Sequence, residues 1–118
     1  MVFNPVEFYR LAGEIYSTHK NQAGYRATVG RAYYAAFLSA RDKACIASDV
    51  QDGHKKVVMY YQNLMSNPKL AAVGNRLDAL RAKRKTADYS CSKEVVARDA
   101  GAALQLSKTI LTDLGHSV

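Results

Sequence analysis

Apolar residues in this chain recur at three- and four-residue intervals, and nowhere do they alternate with polar ones over the length of a strand. That pattern commits the chain to helices. Only two prolines could interrupt it, Pro5 and Pro68, and each follows an asparagine. Asn4-Pro5 and Asn67-Pro68 put a capping side chain before a proline at the first helical position, where the missing N–H costs nothing. Glu7 stands three residues after Asn4 and is expected to close a capping box with it.

Five helices account for the pattern. The first is expected from about Pro5 to His19, burying Phe8, Leu11 and Ile15. The second covers roughly Ala23 to Ala47, with Val29, Tyr33, Ala36, Phe37 and Ala40 inward. After a polar loop from Ser48 to Gly53, Asp52 is expected to cap a third helix from about Gly53 to Met65. Pro68 opens the fourth, striped by Leu70, Val73, Leu77 and Leu80. After a turn at Tyr89 to Ser92 the fifth extends to about Leu114, burying Val96, Ala100, Ala103, Ile110 and Leu114, with Gly115 as its terminator. The expected fold is all-α, an up-and-down bundle of four to five helices in one domain over residues 1–118.

Alanines cluster on one side of the second helix (Ala32, Ala35, Ala36, Ala40) and of the fifth (Ala97, Ala100, Ala102, Ala103). Such faces let helices approach closely, either within the chain or across a homodimer seam. At 118 residues the chain can bury a core without disulfides or metal. Its cysteines, Cys45 and Cys91, are far apart and outside any CxxC arrangement, so free thiols are expected. The start, MVFNPVEF, has neither a basic nor an apolar leader segment, and the longest apolar run is too short to span a bilayer. A cytoplasmic protein is expected, without membrane attachment.

Charge is where function first shows. Seventeen basic against ten acidic residues give a net charge of +7 and a pI near 9.5. Six of the basic residues fall between Arg76 and Lys93, against only Asp78 and Asp88. Like charges at this density repel along a helix, so the segment RAKRKTADY, Arg81 to Tyr89, points to an anionic partner, with salt-sensitive phosphate contacts as its physical form. Lys83 and Lys85 are also explained by a helix C-terminal dipole. Arg81 is not, because it flanks the apolar stripe. Arg84 and Asp88, four apart, can pair, although Arg31 on the second helix is the expected mate of Asp88. Tyr33 and Phe37 read as core, with the Tyr33 hydroxyl bonded to a neighbour.

His19, His54 and His116 are too scattered for metal-ligand spacing, and no cofactor is expected. His54 reads as a solvent-facing residue at a helix start. No glycine-rich phosphate loop, Ser-His-Asp set or catalytic carboxylate pair is visible.

YRATVGRAYYAAF (Tyr25 to Phe37), GHKKV (Gly53 to Val57) and LRAKRKTADYS (Leu80 to Ser90), in this order and spacing, resemble the HEPN domain superfamily. The likeness is to compact bacterial and archaeal members with an RxYYAxF helix and an RxxxDY helix end. The resemblance implies a helical bundle that commonly dimerises and is often RNA-associated. Many such proteins are metal-independent endoribonucleases acting as toxins or phage-defence effectors, partnered by nucleotidyltransferase antitoxins or larger defence proteins. In the nuclease members an arginine is followed, about four to six residues on, by a histidine that handles protons.

Here Tyr89 follows Arg84 at that distance, and a phenol with a pKa of about 10 is a poor base at neutral pH. On this resemblance Arg81 and Arg84 bind the phosphate, and Tyr89 or His54 handles the proton. Lys83, Lys85, Lys55 and Lys56 add contacts to RNA, while Arg31, Tyr34 and Asp88 form a structural polar core. The alternative is a non-catalytic module that binds RNA or a nucleotide, or docks onto a partner effector.

Overall fold

The computed structural model describes residues 3–118. Five helices follow in order: α1 (Val6–Thr18), α2 (Gln22–Lys43), α3 (Gly53–Gln62), α4 (Pro68–Tyr89) and α5 (Ala97–Asp113). Among the described residues there is no strand, and the architecture is an all-α, up-and-down helical bundle. Among the described residues no helix is long and apolar enough to cross a membrane.

The helix starts show how local chemistry works and where it fails. Asn67 caps α4, its side chain accepting from the Leu70 N–H at 3.2 Å with Pro68 behind it. Asn21 does the same for α2 through the Gly24 N–H at 2.8 Å. At α1 the capping box does not close. The Asn4 side chain takes the Val6 N–H, and the Glu7 N–H bonds to the Asn4 carbonyl instead. Asp52 does not cap α3 with its side chain either; its backbone is left-handed (φ 55°) and its carboxylate makes no hydrogen bond to the helix N-terminus. Asp99 reaches back to the Val96 N–H at 2.9 Å and starts α5. Gly115, at φ 98°, ends it as anticipated.

The helices α2, α4 and α5 form the centre. Against them α1 packs on α2 and α5, and α3 packs on α4 with a smaller contact to α2. Val29, Ala32, Ala36, Ala40, Val73, Leu77, Leu80, Ala100, Ala103 and Ile110 make one continuous core. Most of the alanines are consumed here. Ala32, Ala35, Ala36, Ala40, Ala100 and Ala103 are fully buried within the chain, and the Ser107 hydroxyl donates to the Ala32 carbonyl at 2.8 Å across the α2–α5 contact. Close helix approach is the use these residues serve.

Two parts of the anticipated core are corrected. Val6 and Ala12 are the buried residues of α1, while Leu11 is 40% exposed and Phe8 and Ile15 are half-buried. Before α5 it is Val95, not Val96, that enters the core. Gln22 explains the second shift, since its amide accepts the Val95 N–H (3.0 Å) and donates to the Val95 carbonyl (2.6 Å). Helices α2 and α3 also stop short of their expected ends, at Lys43 and Gln62. For α2 the cause is Cys45, whose left-handed backbone (φ 57°) breaks the helix.

Between α3 and α4 the backbones nearly touch. A Cβ at Gly74 would stand 2.7 Å from the Val58 carbonyl oxygen and 2.8 Å from Gln62 Cγ. Only glycine permits that approach.

Candidate functional site

Tyr33, Phe37 and Arg41 are four residues apart on α2 and therefore share one face. The rings of Tyr33 and Phe37 lie nearly parallel, 5.6 Å between centroids, and the Arg41 guanidinium stands 6.0 Å from the Phe37 centroid. From α4, Asp78, Arg81 and Arg84 come three residues apart onto the facing side. The second residue of α3, His54, enters between the two. The loop from Ala44 to Asp52 closes the end with Ala47, Ser48 and Val50. Together these enclose a cleft of about 280 Å³.

His54 is not the solvent-facing residue its position suggested; its side chain is 9% exposed. Its ring stacks on Phe37 at 5.8 Å. Nδ1 lies 2.6 Å from the Tyr33 hydroxyl and Nε2 lies 3.1 Å from Asp78 Oδ1. An ionised carboxylate can only accept, so Nε2 carries the proton and Nδ1 accepts from the phenol. Burial lowers the pKa of His54 below 6.5. The hydrogen bond and charge of Asp78 work against this, and the positive charges of Arg81 and Arg84 work with it. The imidazole is therefore neutral at pH 7. Tyr33 moves the other way, pushed up to about 12, chiefly by burial, despite the opposing pull of Arg84 and Arg81. The pair is a neutral base behind a phenol that keeps its proton.

Arg84 lies over the rings of Tyr33 (5.1 Å) and Tyr34 (5.6 Å) and pairs with Asp88 at 2.9 Å. This corrects the expected polar core. Asp88 is taken by Arg84 on its own helix, not by Arg31. The Arg31 guanidinium packs between Phe8 (5.1 Å) and Tyr34 (5.4 Å). Tyr34 thus bridges two cations instead of satisfying a buried ion pair. One turn apart on α4, Arg81 and Arg84 both line the cleft. No carboxylate is among its lining residues; Asp78 touches it only through His54.

Other candidates fall elsewhere. Tyr89 is 72% exposed at the end of α4, 6.0 Å from Arg84 and outside the cleft lining. Lys55 and Lys56 are exposed on α3 beside His54, and Lys85 is exposed on α4. Lys83 turns to the opposite flank of α4. There, with Lys93, Glu94 and Asp99, it lines a separate cleft of about 320 Å³. Acids offset the cations in that cleft, so the smaller one is the better anion site. Among the described residues no group of three or more His, Cys, Asp or Glu side chains is arranged to hold a metal ion.

Three participants escaped the sequence reading. Arg41 was signalled by its four-residue spacing from Phe37 and Tyr33. Asp78 was signalled by its three-residue spacing from Arg81. The Tyr33–His54 bond had no local signal, because it joins residues 21 apart through a loop. Neither a family model nor a curated protein nor a solved structure matches this chain.

Proposed function

We propose that this protein is a HEPN-like, RNA-associated domain whose α2–α3–α4 cleft binds an RNA phosphodiester and cleaves it without metal, as a small effector of a toxin–antitoxin or defence system. The supporting observation is the meeting of a buried, neutral imidazole with Arg81 and Arg84 in one cleft lined by no carboxylate. The planar fork of guanidinium donors matches a pair of phosphate oxygens and stabilises the charge that builds on them during transfer. A neutral histidine is the side chain best poised to take the ribose 2′-hydroxyl proton. In this reading His54 replaces the histidine that relatives of this kind carry after the arginine, and Tyr89 stays at the rim.

The imidazole must present a free nitrogen to act. Asp78 is 57% exposed, so its carboxylate can turn into solvent and release Nε2. The Tyr33 hydroxyl accepts as readily as it donates. The ring can therefore shift its proton to Nδ1 and keep its buried hydrogen bond, leaving the Nε2 lone pair free. Nε2 takes the 2′-hydroxyl proton as O2′ bonds to phosphorus and the P–O5′ bond breaks. The departing 5′-oxygen takes a proton from water, a 2′,3′-cyclic phosphate is left, and the charge on its non-bridging oxygens meets Arg81 and Arg84. A homodimer, or docking to a nucleotidyltransferase antitoxin or larger defence protein, would extend the surface along which RNA lies, with Lys55 and Lys56 beside the entrance.

The test is cleavage of single-stranded RNA by purified protein in EDTA. Wild type should cleave, and His54→Ala and Arg84→Ala should each lower turnover by about 10²–10⁴-fold. Cleavage that neither substitution lowers defeats the proposal. A second reading, binding without turnover, is favoured by one observation: both ring nitrogens of His54 are already engaged. It expects salt-weakened RNA binding that depends on Arg84, with no product from wild type.

A further inference from the structure

Two of the three arginines lining this cleft have a donor to spare. The Nε atoms of Arg41 and Arg84 are both buried and meet no hydrogen-bond acceptor. Leaving a buried donor unpaired is costly. For Arg84 the unpaired Nε–H fits a phosphate-binding role already argued. Arg41 has no such account. Its one carboxylate neighbour, Asp42, lies at 3.8 Å, beyond hydrogen-bond reach, and the Asp42 side chain is mostly exposed. Its guanidinium packs on Phe37, and Arg41 lines the same cleft as Arg81, Arg84 and Ser48 of the closing loop.

Arg84, Tyr33, Phe37 and Arg41 follow one another as a row, with a cation at each end of two parallel rings. The two guanidiniums thus pack on different rings, one helical turn apart on α2, while lining the same cleft. A ligand with two linked negative groups can meet both.

We propose that Arg41, with Ser48 beside it, forms a second anion subsite, so that the cleft takes a ligand with two linked phosphate groups. Resting on the RNA reading above, these are the phosphodiester at Arg81 and Arg84 and its neighbour along the strand at Arg41. The same chemistry is offered by a nucleoside polyphosphate, and the experiment separates the two sources.

Calorimetric titration would compare a trinucleotide, carrying two phosphodiesters, with a dinucleotide, carrying one, and with ATP. All riboses of the oligonucleotides carry 2′-O-methyl groups to block cleavage. Wild type should bind the trinucleotide roughly tenfold more tightly than the dinucleotide, the size of one charge-assisted contact. Arg41→Gln should remove that advantage while leaving dinucleotide binding unchanged. The slope of log affinity against log salt for the trinucleotide should shrink by about 0.7, the share of one single-strand phosphate. Arg84→Gln should weaken both oligonucleotides. Should Arg41→Gln not fold, Ser48→Asp tests the same subsite by placing a carboxylate in its mouth, and it should remove the same advantage.

If Arg41→Gln binds the trinucleotide as wild type does while Arg84→Gln does not, the second subsite is overturned and the RNA reading survives. If ATP binds through both arginines and the trinucleotide does not bind, the subsite stands and its RNA source is overturned. Binding of neither phosphate ligand overturns both.

Discussion

Arg26 and Arg41 sit on the same helix, fifteen positions apart, and are used in opposite ways. The Arg26 guanidinium is spent on backbone. It donates to the carbonyls of Thr86 (3.4 Å), Ala87 (2.9 Å), Ser90 (3.3 Å) and Lys93, closing the C-terminal end of α4 and the turn after it. Ala87 is one of the orphan carbonyls at that helix end, while those of Thr86 and Ser90 also accept backbone N–H groups, from Ser90 and Lys93. Arg41 packs on a ring and keeps a buried donor unpaired. Counting basic residues treats the two as equal. What separates them is whether the surrounding chain already supplies acceptors, and only a cation without acceptors is available to a ligand.

The sharpest way to break this comparison is to swap the readouts. His54→Ala and Arg84→Ala should each lower RNA cleavage by about 10²–10⁴-fold, the range of a lost general base or a lost charge stabiliser. Arg26→Ala should lower the rate little per folded molecule. Equal kinetic losses at Arg26 and Arg84, measured on folded protein, would erase the distinction.

In stability the order should reverse. Arg26→Ala frees several carbonyls of a charge-assisted partner and should cost about 2–3 kcal/mol in chemical denaturation. Arg41→Gln should cost less than about 1 kcal/mol, because it removes no formed hydrogen bond. Leu77→Ala, fully buried against the same helix, sets the scale at about 2–5 kcal/mol.

The pH dependence tests the neutral imidazole itself. The folded pKa of His54 lies below 6.5, so the unfolded chain binds the proton more readily. The resulting stability is complete above about pH 6.5 and is lost as pH falls through the folded value. His54→Gln should flatten that limb of a denaturation profile. Cleavage should rise with pH over the same acid interval, and Asp78→Asn should move its midpoint lower, since the Asp78 carboxylate raises this pKa. A midpoint that stays in place would remove Asp78 from the site.

The smallest effect expected belongs to Lys83→Ala. On the opposite flank of α4 and only partly buried, it should change RNA affinity by less than a factor of about three, as a charge remote from the ligand and screened by salt does.

Much of the bundle was legible in the chain because it is written locally. The Asn67-Pro68 start, the Leu77–Leu80 stripe and the Gly115 stop each act within one turn of helix. The misses share a different cause. Val95 enters the core because Gln22, from the other end of the domain, grips both of its backbone groups. Asp88 chose Arg84 over Arg31 because Phe8, from α1, had already covered Arg31. His54 looked like an ordinary solvent-facing helix start until Tyr33, Phe37 and Asp78 closed on it. The basic turn at Arg81 to Tyr89 carries two of the three arginines that line the cleft. Which of its cations face a cleft, and which face water, depends on contacts that no short stretch of sequence carries.

The absent side chain at Gly74 acts as a spacer set to its minimum. Helix α3 carries His54 at its first turn and rests against α4, the helix of Arg81 and Arg84, at a depth that a single methyl group would forbid. Gly74→Ala would lever α3 outward from a point four residues before Asp78, widening the gap that the imidazole must span. The proposed cleavage, which needs atoms aligned within a fraction of an ångström, would then fail while the proposed anion site at Arg81 and Arg84 persists. The alignment of that proposed chemistry would rest on a residue that has no chemistry of its own.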